Sequence, residues 1–199
     1  MSEQINWLQD VQQGHWAGLA AASRKGLPVP AGYVVDRTVY EKPIRRAYDE
    51  MKLREFTHFV AVRGPAHAVI EVIGTDPLIH TLRRFWAETP EAEILIQRMV
   101  NSAWCGKASW DGGSLRVLAS EGLSRLDPDV YADGRVMLHQ RPQKMFRGVD
   151  GLTRTMTVRD QRKGLSAESL AEIGDLARQA GGNITWAHDD RKLWLLSVA

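Results

Sequence analysis

The sequence predicts an α+β fold with mainly antiparallel strands. Apolar runs of strand length come in groups joined by turn residues, most clearly around Asp111-Gly112-Gly113, a pattern suited to a tight hairpin. Between those groups stand segments whose apolar residues recur on one helical stripe. Strands bunched in hairpins between helices, rather than alternating singly with them, argue against a doubly wound parallel sheet. At 199 residues, 44% hydrophobic and 25% charged, the chain has the composition of a folded protein. No internal repeat is visible, and residues 1–199 are expected to form one domain, with lobes at about 1–90 and 91–199.

Taken in order, Ile5 to Lys25 places Trp7, Leu8, Val11, Trp16, Leu19 and Ala20 at mostly helical spacings broken near Gln13-Gly14, which predicts two short helices. The prolines of Gly26-Leu27-Pro28-Val29-Pro30 stop any helix there, and Tyr33-Val34-Val35 follows as extended chain. Thr38 to Lys52 reads as a helix apart from Pro43, and Phe59 to Val62 and His67 to Ile73 as strands. Thr75-Asp76-Pro77 opens a helix carrying Leu78, Ile79, Leu82, Phe85 and Trp86, which ends near Thr89-Pro90. Short strands are then expected at Ile94 to Val100, Leu115 to Ala119, Val136 to His139, Lys144 to Phe146 and Thr153 to Val158. Ser166 to Ala180 is a helix stopped by Gly181-Gly182, and Ile184 to Ala187 with Lys192 to Leu196 form a closing hairpin.

Lys plus Arg number 26 against 24 Asp plus Glu, a net charge of +2 that gives no strong electrostatic footprint for nucleic acid. The local basic clusters, Arg45-Arg46, Arg83-Arg84 and Arg159 to Lys163, read as solvated faces, and a nucleic-acid-binding module is the minority reading. No apolar stretch approaches membrane-spanning length, and the first residues lack the pattern of a secretory leader. The single cysteine, Cys105, suits a reducing compartment, so a cytoplasmic location is expected. Seven tryptophans, among them Trp16, Trp186 and Trp194, point to a core or an interaction face rather than a cofactor box.

Strong catalytic signatures are missing: no P-loop, Gly-rich dinucleotide turn, nucleophile elbow or paired-histidine zinc motif. The six histidines are scattered, so no metal site is expected. Weaker blocks fall in order instead. Gln13-Gly14-His15-Trp16-Ala17-Gly18-Leu19 precedes Gly26-Leu27-Pro28-Val29-Pro30-Ala31-Gly32-Tyr33. Ala61-Val62-Arg63-Gly64-Pro65-Ala66 follows, then Ile94 to Val100, then Asn183-Ile184-Thr185-Trp186-Ala187.

These blocks resemble the ATP-binding domain of the pyruvate phosphate dikinase and phosphoenolpyruvate synthase family, which carries Gly-Leu-Pro-Val-Pro-x-Gly-Phe, Ala-Val-Arg-Ser-Ser-Ala, Val-x-Val-Gln-x-Met-Val and Asp-Ile-Glu-Trp-Ala in that order. The resemblance implies a shortened ATP-grasp fold of two small α+β lobes. It implies a site for ATP or another adenine nucleotide built from His15, Arg63, Gln97, Met99 and Val100, with the backbone of the Ile94 to Val100 strand facing adenine.

Against the family pattern His15 stands where a lysine contacts phosphate, Gly64 and Pro65 replace a serine pair, and Asn183 and Thr185 replace an acidic pair. Phosphoryl transfer needs cations on the phosphates and carboxylates on Mg2+, so no catalytic residue and no Mg2+ site are expected. The resemblance therefore implies a degenerate, non-catalytic protein that binds a nucleotide or another protein subunit. The alternative is the ATP-binding half of a phosphotransferase completed by separate subunits.

Overall fold

The computed structural model describes residues 5–111, 114–121, 142–147, 153–158, 165–189 and 191–199. The chain divides into two compact units, one of Met1–Gly26 with Pro30–Met99, the other of Leu27–Val29 with Val100–Ala199.

In the first unit β1 (Asn6–Trp7), β2 (Gly32–Val35), β3 (Phe59–Arg63), β4 (Ala68–Ile73) and β5 (Ile94–Arg98) form one sheet in the order β1-β2-β5-β3-β4. Every neighbouring pair is antiparallel. Its helices are α1 (Ala17–Arg24), α2 (Glu41–Glu55) and α3 (Thr75–Glu88). The buried residues of α2, Ile44, Ala47, Tyr48 and Met51, recur at the spacing that puts them on one stripe, as do Leu78, Leu82 and Phe85 of α3. They form one core with Tyr33 and Val35 of β2, Val60 and Val62 of β3, and Ile94 and Ile96 of β5. Because side chains alternate along a strand, Arg63, Gln97 and Gly32 belong to the opposite face of the sheet.

Two expectations change here. Ile5 to Gln13 is not helical: Asn6 and Trp7 pair with Val34 and Tyr33, Leu8–Asp10 makes one 3-10 turn, and α1 stands alone. The Trp7 ring meets Tyr33 edge-on with centroids 5.7 Å apart, a contact available only to extended backbone at this sheet edge. Pro43 does not interrupt α2, because it sits in the first turn, where an N–H has no partner within the helix.

In the second unit β6 (Trp104–Asp111), β7 (Ser114–Glu121), β8 (Pro142–Arg147), β9 (Thr153–Val158), β10 (Asn183–His188) and β11 (Leu193–Val198) form a sheet in the order β11-β10-β6-β7-β9-β8. β7 and β9 run parallel, and the other pairs are antiparallel. The expected hairpin holds, with Asp111 paired to Ser114 around Gly112-Gly113, two residues that lie outside those described. So do the expected strand at Val136 to His139 and the basic cluster Arg159 to Lys163.

The central strand β6 escaped the sequence reading, since Gly106, Lys107 and Ser109 interrupt its apolar pattern. α4 (Ala167–Ala180) starts at Ser166, whose hydroxyl accepts from the Ser169 N–H at 3.0 Å, and ends at Gly181. In the closing hairpin the Asp189 carboxylate accepts from the Trp194 indole N–H at 2.8 Å and from the N–H groups of Arg191 and Lys192. Partial burial pushes that carboxyl up, but these bonds win and hold it below its ordinary range. Leu27–Val29 counts with this unit, and the Pro28 carbonyl accepts from the Leu195 N–H at 2.8 Å. Among the described residues no helix is long and apolar enough to cross a membrane.

Candidate functional site

Three of the five nucleotide-site candidates meet in the first unit on the face of the sheet away from α2 and α3. Arg63, the last residue of β3, donates from Nη1 to Gln97 Oε1 at 3.0 Å, and its guanidinium carbon lies 5.4 Å from the Trp16 ring centroid. Removal from water pushes the Arg63 pKa down to about 10, so the group keeps its charge at neutral pH. Gln97, only 1% exposed on β5, donates from Nε2 to the Pro30 carbonyl at 3.1 Å. Both ends of its amide are therefore engaged, and its side chain positions the guanidinium.

His15 reaches the group through its neighbour. Its exposed ring meets Trp16 edge-on with centroids 4.6 Å apart, and its N–H donates to Glu93 Oε2 at 3.1 Å. The buried Trp16 donates its indole N–H to the Glu93 carbonyl at 3.0 Å. Gly14 has φ +87, and a side chain there would run into the Glu93 carboxylate. The carboxylate could swing aside, but the positive φ favours glycine.

The other two candidates lie elsewhere. Met99 is half-buried just past β5, with its N–H donating to the Phe59 carbonyl at 3.2 Å. Val100 counts with the second unit, where its side chain is core alongside Cys105, Ala187 and Leu196. Trp16, Glu93 and Pro30 were missed as parts of the group. Glu93 is bonded to residues 77 and 78 positions away, and the one local hint was the glycine interrupting the helical pattern before His15.

Gly64, Asn183 and Thr185 also have defined surroundings. A Cβ on Gly64 would lie 2.7 Å from the Phe85 ring, which itself stacks on His67 with centroids 4.4 Å apart. Serine does not fit there unless that ring moves. On β10, Asn183 pairs with Ser109 and Thr185 with Lys107. Among the described residues no group of three or more His, Cys, Asp or Glu could hold a metal ion.

In two of the basic clusters one arginine is paired within the chain. Arg45 bonds Asp76 and Thr75, and both Arg45 and Arg83 pair with Glu41.

No family model and no curated protein matches the sequence. Solved structures do. A D-alanine–D-alanine ligase from Bacillus anthracis superposes with a TM-score of 0.53 at 11% identity, covering 91% of this chain and 53% of the ligase. The chain has an ATP-grasp-like fold. The same Bacillus enzyme complexed with ATP gives a TM-score of 0.53 at 11% identity, with 91% of this chain and 52% of that one covered. D-alanyl-alanine synthetase A from Vibrio cholerae gives 0.52 at 10% identity over 91% of this chain and 53% of its own. This ATP-grasp-like chain thus spans about half the length of the ligases it matches.

Proposed function

We propose that this protein binds an adenine nucleotide without transferring its phosphate, as a degenerate relative of the pyruvate phosphate dikinase ATP-binding domain. The observation that carries the reading is Arg63, a cation fixed by Gln97 and Trp16 and already partly removed from water. Such a group binds an anion without first being ordered, so less of the interaction is lost to side-chain entropy. ATP, with which one of the similar ligases is complexed, is the anion the fold suggests. Glu93 supports the non-catalytic half of the proposal, because its carboxylate lies against the His15 N–H, beside the position where the resemblance asks for a phosphate-binding lysine. A negative charge there opposes a triphosphate.

Calorimetric titration with ATP, ADP and AMP, each with and without Mg2+, tests this. Micromolar binding that needs no Mg2+ and disappears in Arg63→Ala is expected; ATP turnover abolished by the same substitution would sink the non-catalytic reading, and no heat with any nucleotide would sink the nucleotide.

A second reading, a subunit completed by another protein, has its own support. Leu53 and Phe56 at the end of α2 are 72% and 95% exposed, and Phe59 and Ile73, paired across β3 and β4, are 44% and 51% exposed. An apolar surface of this kind suits a protein partner. Phe56→Ser should abolish reconstitution with a separately supplied phosphohistidine-bearing subunit; absence of ATP-dependent phosphorylation in the wild-type mixture would remove this reading.

A further inference from the structure

The first unit holds a groove of about 820 Å³ walled by β1 and the first three turns of α2. It is separate from the Arg63 group. α2 covers the face of the sheet that carries Val60 and Val62, whereas Arg63 belongs to the opposite face. Its volume lies in the range of about 300–1,000 Å³ common for small-ligand sites.

The lining combines two aromatic rings with four charges, and the charges do not cancel locally. Trp7 and Tyr40 supply the rings; Glu41, Lys42, Arg46 and Glu50 supply the charges. Both acids are already committed to cations outside the groove. Glu41 pairs with Arg45 and Arg83, and Glu50 Oε1 lies 2.6 Å from Arg54 Nη2. Lys42 and Arg46 have no ion pair among the described residues, and four positions apart on α2 they stand one turn above the other. Trp7 is held in place by the edge of Tyr33 at 5.7 Å and by the Arg54 guanidinium 5.3 Å from its centroid. The wall is thus built before any ligand arrives.

From these residues we propose that the groove is a binding site for a small aromatic acid: a flat ring against Trp7 and Tyr40, with its carboxylate, sulfonate or phosphate between Lys42 and Arg46. The ring gains apolar and stacking contact, and the anion completes the two cations left over by the internal pairing of the acids. This site does not depend on the nucleotide reading, and its variants do not touch Arg63.

The experiment is a fluorescence and calorimetric titration of the whole chain with naphthalene-2-sulfonate, its uncharged sulfonamide, and inorganic sulfate. The sulfonate should bind, while the sulfonamide and sulfate should bind at least several-fold more weakly. Affinity for the sulfonate should fall about tenfold in the Lys42→Gln/Arg46→Gln double variant, the size expected for losing two exposed charge contacts. Tyr40→Ala should weaken it too, and Arg63→Ala should leave it unchanged. All of these residues except Arg63 are exposed or line the groove, and circular dichroism checks that each variant is folded. Sulfonamide binding equal to sulfonate binding, an undiminished double variant, or no sulfonate binding at millimolar concentration would each overturn the assignment.

Discussion

The two faces of the five-stranded sheet in the first unit are made by alternate residues of the same strands, yet different physics holds each. Val60, Val62, Ile94 and Ile96 face α2 and α3 in a dry core, where size and hydrophobicity suffice. One position along, Arg63 and Gln97 face the other way into a chain of directed contacts from His15 through Trp16 to Pro30. The first face tolerates exchange among apolar residues of similar volume, whereas the second depends on particular atoms meeting across 34, 67 and 77 residues of sequence. Packing by size and bonding between particular atoms are thereby divided between opposite sides of one sheet.

Substitutions that sort by face sharpen this comparison. Ile96→Ala, on the dry face, should cost about 3 kcal/mol through lost burial and a residual cavity, read from urea unfolding, with nucleotide affinity of the folded fraction unchanged. A cost below about 1 kcal/mol would mean that the core can collapse around the gap. Gly64→Ser should cost about 2 kcal/mol in thermal unfolding, because the new Cβ meets the Phe85 ring at 2.7 Å. An unchanged melting temperature would show that the ring moves freely and that this position excludes serine for some other reason.

On the polar face Gln97→Ala should cost about 1.5 kcal/mol, since it strips an acceptor from Arg63 and a donor from the Pro30 carbonyl. Nucleotide affinity should fall with it. Arg63→Met should stay within about 1 kcal/mol of the wild type, because removing a desolvated charge offsets the lost contacts, while nucleotide binding disappears. The pH dependence has a definite sign. With a folded pKa lowered by burial to about 10, below the ordinary arginine range, Arg63 is charged in both states at neutral pH, and the cost of burying that charge is present there. Above about pH 10 the unfolded chain holds the extra proton, so the wild type should gain on Arg63→Met as pH rises from about 9 to about 11. Parallel curves would show that the guanidinium is not desolvated.

The dry face was legible in the sequence for the same reason that it is stable. Leu78, Leu82 and Phe85 keep a helical period, and Phe59 to Val62 and Ile94 onward are dense in strand formers. Both are local signals of burial. The antiparallel hairpins were equally readable at Asp111 to Ser114 and at the C-terminal end. β1 was not, since two residues carry no period of their own and Trp7 also fits a helix until its pairing with Tyr33 is known.

At the site, a resemblance could nominate His15, Arg63 and Gln97, but no periodicity links Gly14 to Glu93 or Gln97 to Pro30. These contacts arise only when the strand order places β5 between β2 and β3. Val100 follows Met99 in the chain but counts with the other unit, a division that no composition shift announces.

That division has a consequence for taking the protein apart. Leu27–Val29 belongs with the second unit although the residues on both sides of it belong to the first, so the backbone passes between units three times. A polypeptide begun at residue 100 would lack the Pro28 carbonyl that the Leu195 N–H needs, leaving a donor of β11 without its acceptor. One ended at residue 99 would carry three residues that count with the missing half. No single scission yields either unit whole, and during synthesis the early Leu27–Val29 segment must wait until the much later β11 is available to receive it.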